Sequence, residues 1–77
     1  RIRGYHLNNN DGLHDSHLPL YDPAGCCPPE EMDAILRAIA RHTPQAHLIL
    51  EYAPGERITR ERIHGDARRV ARIVQGQ

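Results

Sequence analysis

Apolar and polar positions follow two different spacings along this chain, and together they predict four elements. Short apolar stretches at 2–8 and 46–52 end in polar residues and predict two β-strands. Apolar residues at helical spacing, bounded by proline and threonine, predict one helix over 28–43 and another from 59 to about 74. The order strand, helix, strand, helix is typical of a right-handed crossover between parallel strands.

The apolar faces indicate how these elements are covered. Leu48, Ile49 and Leu50 are consecutive, which predicts a strand buried on both faces, as in a parallel sheet between helices. The predicted apolar face of the first helix comprises Met32, Ile35, Leu36 and Ile39. That of the second comprises Ile63, Ala67, Val70, Ala71 and Val74. The arginines of the second helix are predicted to form its solvated face.

Length and composition narrow the classes of protein. With 77 residues there is room for one small domain, and 39% hydrophobic residues argue against disorder. A formal net charge of zero argues against a general attraction to nucleic acid or membranes. Adjacent Cys26 and Cys27 do not form a disulfide framework, so a reducing cytoplasm is expected. Because the chain opens at Arg1 directly into a strand, we expect a piece of a longer protein.

Candidate chemistry lies where the two predicted strands end. His6 stands near the end of the first strand, the following polar loop presents Asp15 and His17, and Glu51 ends the second strand. A site that combines imidazole nitrogens with carboxylate oxygens suits zinc, manganese or iron. The alternative interpretation is that Asp15 and His17 are ordinary loop residues in contact with water. Glu51 follows a run of aliphatic residues, where an unpaired charge is energetically costly. A metal ion, an arginine or water next to Glu51 would remove that cost. The sequence therefore predicts a shared divalent metal site, with mere loop solvation left open.

Three segments resemble one known superfamily. They are His6-Leu7-Asn8-Asn9-Asn10-Asp11-Gly12, Asp15-Ser16-His17-Leu18-Pro19-Leu20 and Leu48-Ile49-Leu50-Glu51. The combination resembles the last quarter of a xylose isomerase-like TIM barrel, a superfamily of sugar phosphate isomerases and epimerases and of zinc-dependent AP endonucleases. The resemblance implies that residues 1–77 are a C-terminal fragment of one such domain, the two βα units of strands seven and eight of a TIM (β/α)8 barrel.

The resemblance also implies roles for individual residues. His6, Asp15, His17 and Glu51 would be metal ligands for Mn, Zn, Co or Mg, and Glu51 would also be one of two acid/base groups. Arg57 follows the second strand, where barrels often bind anionic substrate groups. The expected function is a fragment of a sugar or sugar phosphate isomerase or epimerase that transfers a proton alpha to a carbonyl. Such a fragment would need the N-terminal part of the barrel and be inactive alone.

Two other functions remain open from the sequence. An AP endonuclease-like zinc phosphodiesterase would use the Asp15-x-His17 pair, although the neutral net charge argues against a nucleic acid partner. A non-catalytic metal-binding module would use the same side chains without turnover. A small-molecule substrate and no membrane partner are expected.

Overall fold

The computed structural model describes residues 4–14, 16–55 and 58–76. Its elements are β1 (Gly4–Leu7), α1 (Pro29–His42), β2 (His47–Leu50) and α2 (Arg60–Gln75). The predicted order of strands and helices is confirmed. Both strands are shorter than their apolar stretches, because only four residues of each pair in the sheet.

The two strands form a parallel pair that is covered on one face. Leu7 lies opposite Leu50, and His6 lies opposite Ile49. Leu7 is buried in the core with Leu50 packed against it, whereas His6 is exposed and Ile49 is 48% exposed. Because successive side chains of a strand point to opposite faces, the helices cover only the face that carries the leucines. The prediction that β2 is buried on both faces is therefore wrong.

The predicted fold class is also wrong. The described residues form a β-α-β-α unit with a two-stranded parallel sheet, and not the seventh and eighth units of a TIM (β/α)8 barrel. A barrel strand contacts helices on its outer face and packed side chains on its inner face. Here the face that carries His6 and Ile49 is open to solvent, so the strands do not have the surroundings of barrel strands.

Helix α1 begins and ends as its sequence predicts. Pro28 is extended at the N-cap and acidic residues fill the first turn, where they complement the helix dipole. At the other end the Thr43 N–H and hydroxyl both donate to the Ile39 carbonyl, at 2.8 and 2.9 Å. Met32 and Leu36 are buried as predicted, whereas Ile35 is 49% exposed. The buried face of α1 is therefore narrower than the apolar face predicted from its sequence.

Helix α2 has a confirmed cap and a partly polar buried face. The Thr59 hydroxyl accepts a hydrogen bond from the Arg62 N–H at 3.1 Å. Val70 is buried, but so is Asp66, whose Oδ2 accepts the Tyr52 hydroxyl at 2.7 Å. A buried carboxylate that accepts such a bond ties the helix to the segment after β2. Among the described residues, neither helix has the length and apolar character that crossing a membrane requires.

The arginine face of α2 is less solvated than predicted. Arg69 donates to both carboxylate oxygens of Asp33 on α1, at 3.3 and 2.8 Å, and lies 3.9 Å above the ring of Tyr21. The Tyr21 hydroxyl donates to Asp33 at 2.6 Å. Burial raises the pKa of Asp33, but the hydrogen bonds from Arg69 and Tyr21 outweigh it, and the net pKa is lowered. Arg69 therefore links the two helices to the loop between β1 and α1, residues 8–28, which we call the long loop.

Candidate functional site

Three of the four predicted metal ligands meet at the carboxyl ends of the strands. The His6 Nδ1 lies 2.7 Å from Glu51 Oε2, which is a hydrogen-bond distance. The His17 Nδ1 lies 3.5 Å from the other carboxylate oxygen, Oε1. We call His6, His17 and Glu51 the rim cluster. In it, one carboxylate contacts two imidazoles, one through each of its oxygens.

The parallel register places His6 beside Glu51. His6 lies opposite Ile49, and the Glu51 N–H donates to the Leu7 carbonyl at 3.0 Å, which continues the pairing by one residue. Because strand side chains alternate, Glu51 points to the same open face as Ile49 and His6. The register and this alternation together account for the contact between His6 and Glu51.

The long loop brings in His17 from a distant part of the chain. Asn9 and Leu18 exchange two backbone hydrogen bonds, at 2.8 and 2.7 Å, and close the loop into an antiparallel bridge. The Ala53 N–H then donates to the His17 carbonyl at 3.0 Å. His17 itself has a φ of 45°, a left-handed conformation that non-glycine residues adopt only when their neighbours hold them. Leu18 and Ala53 are those neighbours.

Asn9 fixes this loop, and its role was not predicted from the sequence. Its side chain is buried, and its Nδ2 donates to the carbonyls of Leu20 and Cys27, each at 3.0 Å. Its Oδ1 accepts from the Cys27 N–H at 3.2 Å. Gly25 lies directly against this amide, since a Cβ there would be 2.5 Å from Asn9 Cγ. Nothing in the sequence distinguishes the buried Asn9 from the exposed Asn10 that follows it.

The rim cluster is open to solvent. The side chains of His6, Glu51 and His17 are 59%, 43% and 33% exposed. Ion pairs at such exposure are screened by water, so these contacts contribute little to stability. The same exposure lets a solute reach all three side chains.

The donor types of the rim cluster fit a divalent metal ion, and its spacings fit in part. Two donors about 2.1 Å from one tetrahedral zinc ion are separated by roughly 3.4 Å. The contact between His17 and Glu51, at 3.5 Å, has this spacing, whereas the 2.7 Å contact between His6 and Glu51 is too short and would have to open. Within the described ranges, no three His, Cys, Asp or Glu side chains are already grouped to hold an ion. Asp15, the fourth predicted ligand, and Arg57, the predicted substrate contact, lie outside the described residues.

His14, which the sequence places beside the predicted ligands, belongs to a separate turn. Asp11 Oδ1 accepts from the N–H groups of Leu13 and His14 at 2.9 and 2.8 Å, and its Oδ2 lies 3.0 Å from His14 Nδ1. The side-chain bond with His14, followed by these two backbone bonds, lowers the pKa of Asp11 to about 2. The carboxylate therefore holds the turn that precedes His17.

This low pKa predicts how the turn responds to acid. A carboxyl group whose pKa falls on folding stabilises the folded form fully above its unfolded value of 3.8, and this contribution is lost as the pH falls through about 2. We expect the carboxyl carbon shift of Asp11, followed by NMR, to titrate near pH 2. The Asp11→Asn variant should lose the low-pH change in the Leu13 and His14 amide shifts. A titration midpoint near 4 would show that the turn does not form in solution.

Comparison with known proteins gives no match: no family model, no curated protein and no solved structure is similar to this chain. The resemblance to the isomerase-like superfamily therefore stays a prediction from three sequence segments. What can be said of function rests on the rim cluster and its surroundings.

Proposed function

We propose that the rim cluster binds a divalent metal ion and takes part in proton transfer next to a carbonyl, as in a metal-dependent sugar or sugar phosphate isomerase or epimerase. The observation that carries the proposal is the Glu51 carboxylate, which contacts His6 at 2.7 Å and His17 at 3.5 Å. Manganese, zinc, cobalt and magnesium are the candidate ions, and Asp15 is a further candidate ligand. A cytoplasmic location is part of the proposal, since Cys26 and Cys27 carry free thiols.

Glu51 has a different role in this proposal from the two histidines of the rim cluster. A bound divalent ion would polarise a carbonyl and its adjacent hydroxyl, which makes the proton alpha to the carbonyl easier to remove. Glu51 takes that proton on a carboxylate oxygen and returns it. His6 and His17 would bind the ion together with Glu51, once the 2.7 Å contact between His6 and Glu51 has opened. Epimerisation also needs a second acid/base group on the opposite face of the carbon, and this proposal assigns that role to no residue of the rim cluster.

A second candidate function is a metal-binding module without catalysis. It is favoured by the openness of the site, since His6 is 59% exposed and Glu51 is 43% exposed. Enzymes that remove a carbon-bound proton usually shield the reacting groups from water. The two functions share the metal site and differ only in turnover.

Metal binding is tested by calorimetric titration of zinc and of manganese into the protein. Glu51→Gln and His6→Ala should each raise the dissociation constant on the order of 100-fold, because even the outer partners of metal ligands are worth 10–100-fold. His64→Ala is the matched control, since His64 is an exposed histidine on α2 and is not part of the rim cluster. Equal affinities for Glu51→Gln and His64→Ala would remove the rim cluster as the site.

Proton transfer is tested by deuterium exchange at the carbon alpha to the carbonyl of a ketose, in heavy water with manganese present. The wild-type protein, with any domain that accompanies it, should exchange this proton, and Glu51→Gln should not, because an amide cannot accept it. Retained metal binding without exchange in the wild type would favour the non-catalytic module.

A further inference from the structure

The outer edge of β2 has no strand beside it in the part of the chain that the structure describes. The Glu51 N–H donates to β1, at the Leu7 carbonyl, and in a parallel pair the groups that point to one neighbour alternate along the strand. The N–H and carbonyl groups of Leu48 and Leu50 therefore point away from β1, and none of the described residues is hydrogen-bonded to them there. Such an edge is a template for a further strand.

The space beside this edge is open. A groove of about 390 Å³ lies between β2 and α2, along the outer edge of the strand. Its helix wall includes Ala67 and Ala71, which are exposed and whose short side chains leave the strand edge uncovered. A strand from another molecule can therefore lie along β2 without displacing α2.

One antiparallel register pairs β2 with a second copy of itself, the partner. When Ile49 lies opposite the partner's Ile49, Leu48 lies opposite the partner's Leu50, and these two residues exchange N–H to carbonyl hydrogen bonds. The two Ile49 side chains then form a pair without hydrogen bonds, where antiparallel strands bring side chains closest together. Because Ile49 is 48% exposed on the open face of a single copy, this register covers an apolar side chain that the helices do not.

The same register sets an imidazole against a carboxylate. His47 and Glu51 are each two residues from Ile49 and share its open face, so the partner's Glu51 lies directly opposite His47. His47 is exposed, and the side chain of Glu51 is 43% exposed. The contact occurs twice, because a two-fold axis relates the copies. It also brings the partner's His47 to the rim cluster as a third imidazole beside Glu51.

We propose that two copies of this chain pair through β2 into a continuous four-stranded sheet, in which the partner's His47 lies beside Glu51. The pairing covers Ile49 and satisfies the edge groups of Leu48 and Leu50. A strand of unrelated sequence would satisfy the same edge groups, but only a second copy places Ile49 on itself and His47 on Glu51 in one register. The pairing does not depend on metal binding, so metal-free protein is used to test it.

Ile49→Lys tests the centre of the interface. In the dimer it sets two ammonium groups against each other, which should raise the dissociation constant of the dimer about 100-fold. Ile35→Lys is the matched control, because Ile35 is 49% exposed on α1 and is not at the edge of β2. Sedimentation equilibrium over a range of protein concentrations measures dimerisation, and circular dichroism checks that both variants keep the fold.

His47 tests the paired side chains without changing the centre. His47→Lys keeps a cation opposite the partner's Glu51 and should dimerise like the wild type, whereas His47→Glu sets like charges opposite each other and should weaken the dimer about tenfold. The register is tested by Ile49→Cys combined with Cys26→Ser and Cys27→Ser. Because the facing Cα atoms are within disulfide range, mild oxidation should cross-link the copies, whereas Ile35→Cys in the same background should not cross-link.

Three results would each overturn the pairing. They are a wild-type chain that stays monomeric at the highest soluble concentration, equal dimerisation of Ile49→Lys and Ile35→Lys, and no preferential cross-link through Ile49→Cys. Shifts of the Leu48 and Leu50 amides that appear only with a strand of a different protein would assign the edge to that other partner and would also overturn it. Absence of zinc binding by an intact dimer would instead count against the proposed function.

Discussion

Replacing Gly25 by alanine should lower the free energy of unfolding by about 2–4 kcal/mol. The added Cβ would lie 2.5 Å from Asn9 Cγ and 2.9 Å from Asn9 Oδ1. Asn9 cannot move aside cheaply, because its buried amide donates to the carbonyls of Leu20 and Cys27 and accepts from the Cys27 N–H. Any shift leaves buried polar groups without partners, and each such group costs about 1–3 kcal/mol.

The matched control for this variant is Gly55→Ala. Gly55 also lies in a loop, but a Cβ there meets nothing within 4 Å, so its free energy of unfolding should change by less than about 0.5 kcal/mol. Urea unfolding followed by circular dichroism measures both variants. Equal denaturation midpoints for Gly25→Ala and Gly55→Ala would show that Asn9 is not enclosed as described.

A double-mutant cycle identifies the cause. In an Asn9→Ala background the clash disappears, so Gly25→Ala should cost much less than it does in the wild type. If the two costs simply add, the loss does not come from contact between the two side chains. Because Asn9 also pairs with Leu18, next to His17, Gly25→Ala should weaken zinc binding as well, which the same calorimetric titration reports.

The second large effect is expected at Leu20. This side chain is fully buried and belongs to the core cluster with Leu7, Met32, Leu36 and Val70. Leu20→Ala should lower the free energy of unfolding by about 2–5 kcal/mol, through lost apolar burial and the cavity that remains. A single core in a domain of this size rarely supplies more than about 3–5 kcal/mol, so this variant should have little stability left at 37 °C.

Leu13→Ala is the matched control, since Leu13 is in the same long loop and is 84% exposed. Its thermal midpoint should stay within a few degrees of the wild type, whereas Leu20→Ala should show no cooperative transition or one shifted well below it. A folded Leu20→Ala protein with an unchanged midpoint would falsify the assignment of Leu20 to the core.

Leu20 also changes the interpretation of one of the three segments that carry the family resemblance. In His17-Leu18-Pro19-Leu20, Pro19 and Leu20 are fully buried, and only His17 belongs to the rim cluster. Half of the segment is therefore explained by packing under the loop. A short motif of this kind is weaker evidence for a functional site than its residue types suggest, because core packing alone also favours apolar residues at two of its positions.

Local features of the helices could be predicted because they depend on neighbouring residues. Proline at the start of α1, acidic residues in its first turn and the Thr59 cap of α2 act within one turn of the chain. The buried positions were predicted less well. Ile35 has the right spacing and is half exposed, whereas Asp66 is buried, because its carboxylate accepts a hydrogen bond from Tyr52, 14 residues away.

Pairing of the two strand ends was also within reach of the sequence. Parallel strands in a crossover bring their carboxyl ends to one edge, which predicted that His6 and Glu51 would meet. The surroundings of the strands could not be predicted in the same way, because consecutive Leu48, Ile49 and Leu50 are compatible with burial of both faces of the strand or of one face. In the structure only one face of the strand pair is buried, and the barrel prediction is wrong for this reason.

The sequence by itself determined where the helices begin and end, the order of the elements and the types of donor atoms at the strand ends. All of these depend on local backbone preferences or on the alternation of a strand. Only the tertiary structure decided that Asn9 is buried against Gly25 and that one face of the sheet is open. Those outcomes depend on contacts between residues far apart in the chain, for which neither spacing nor composition carries a signal.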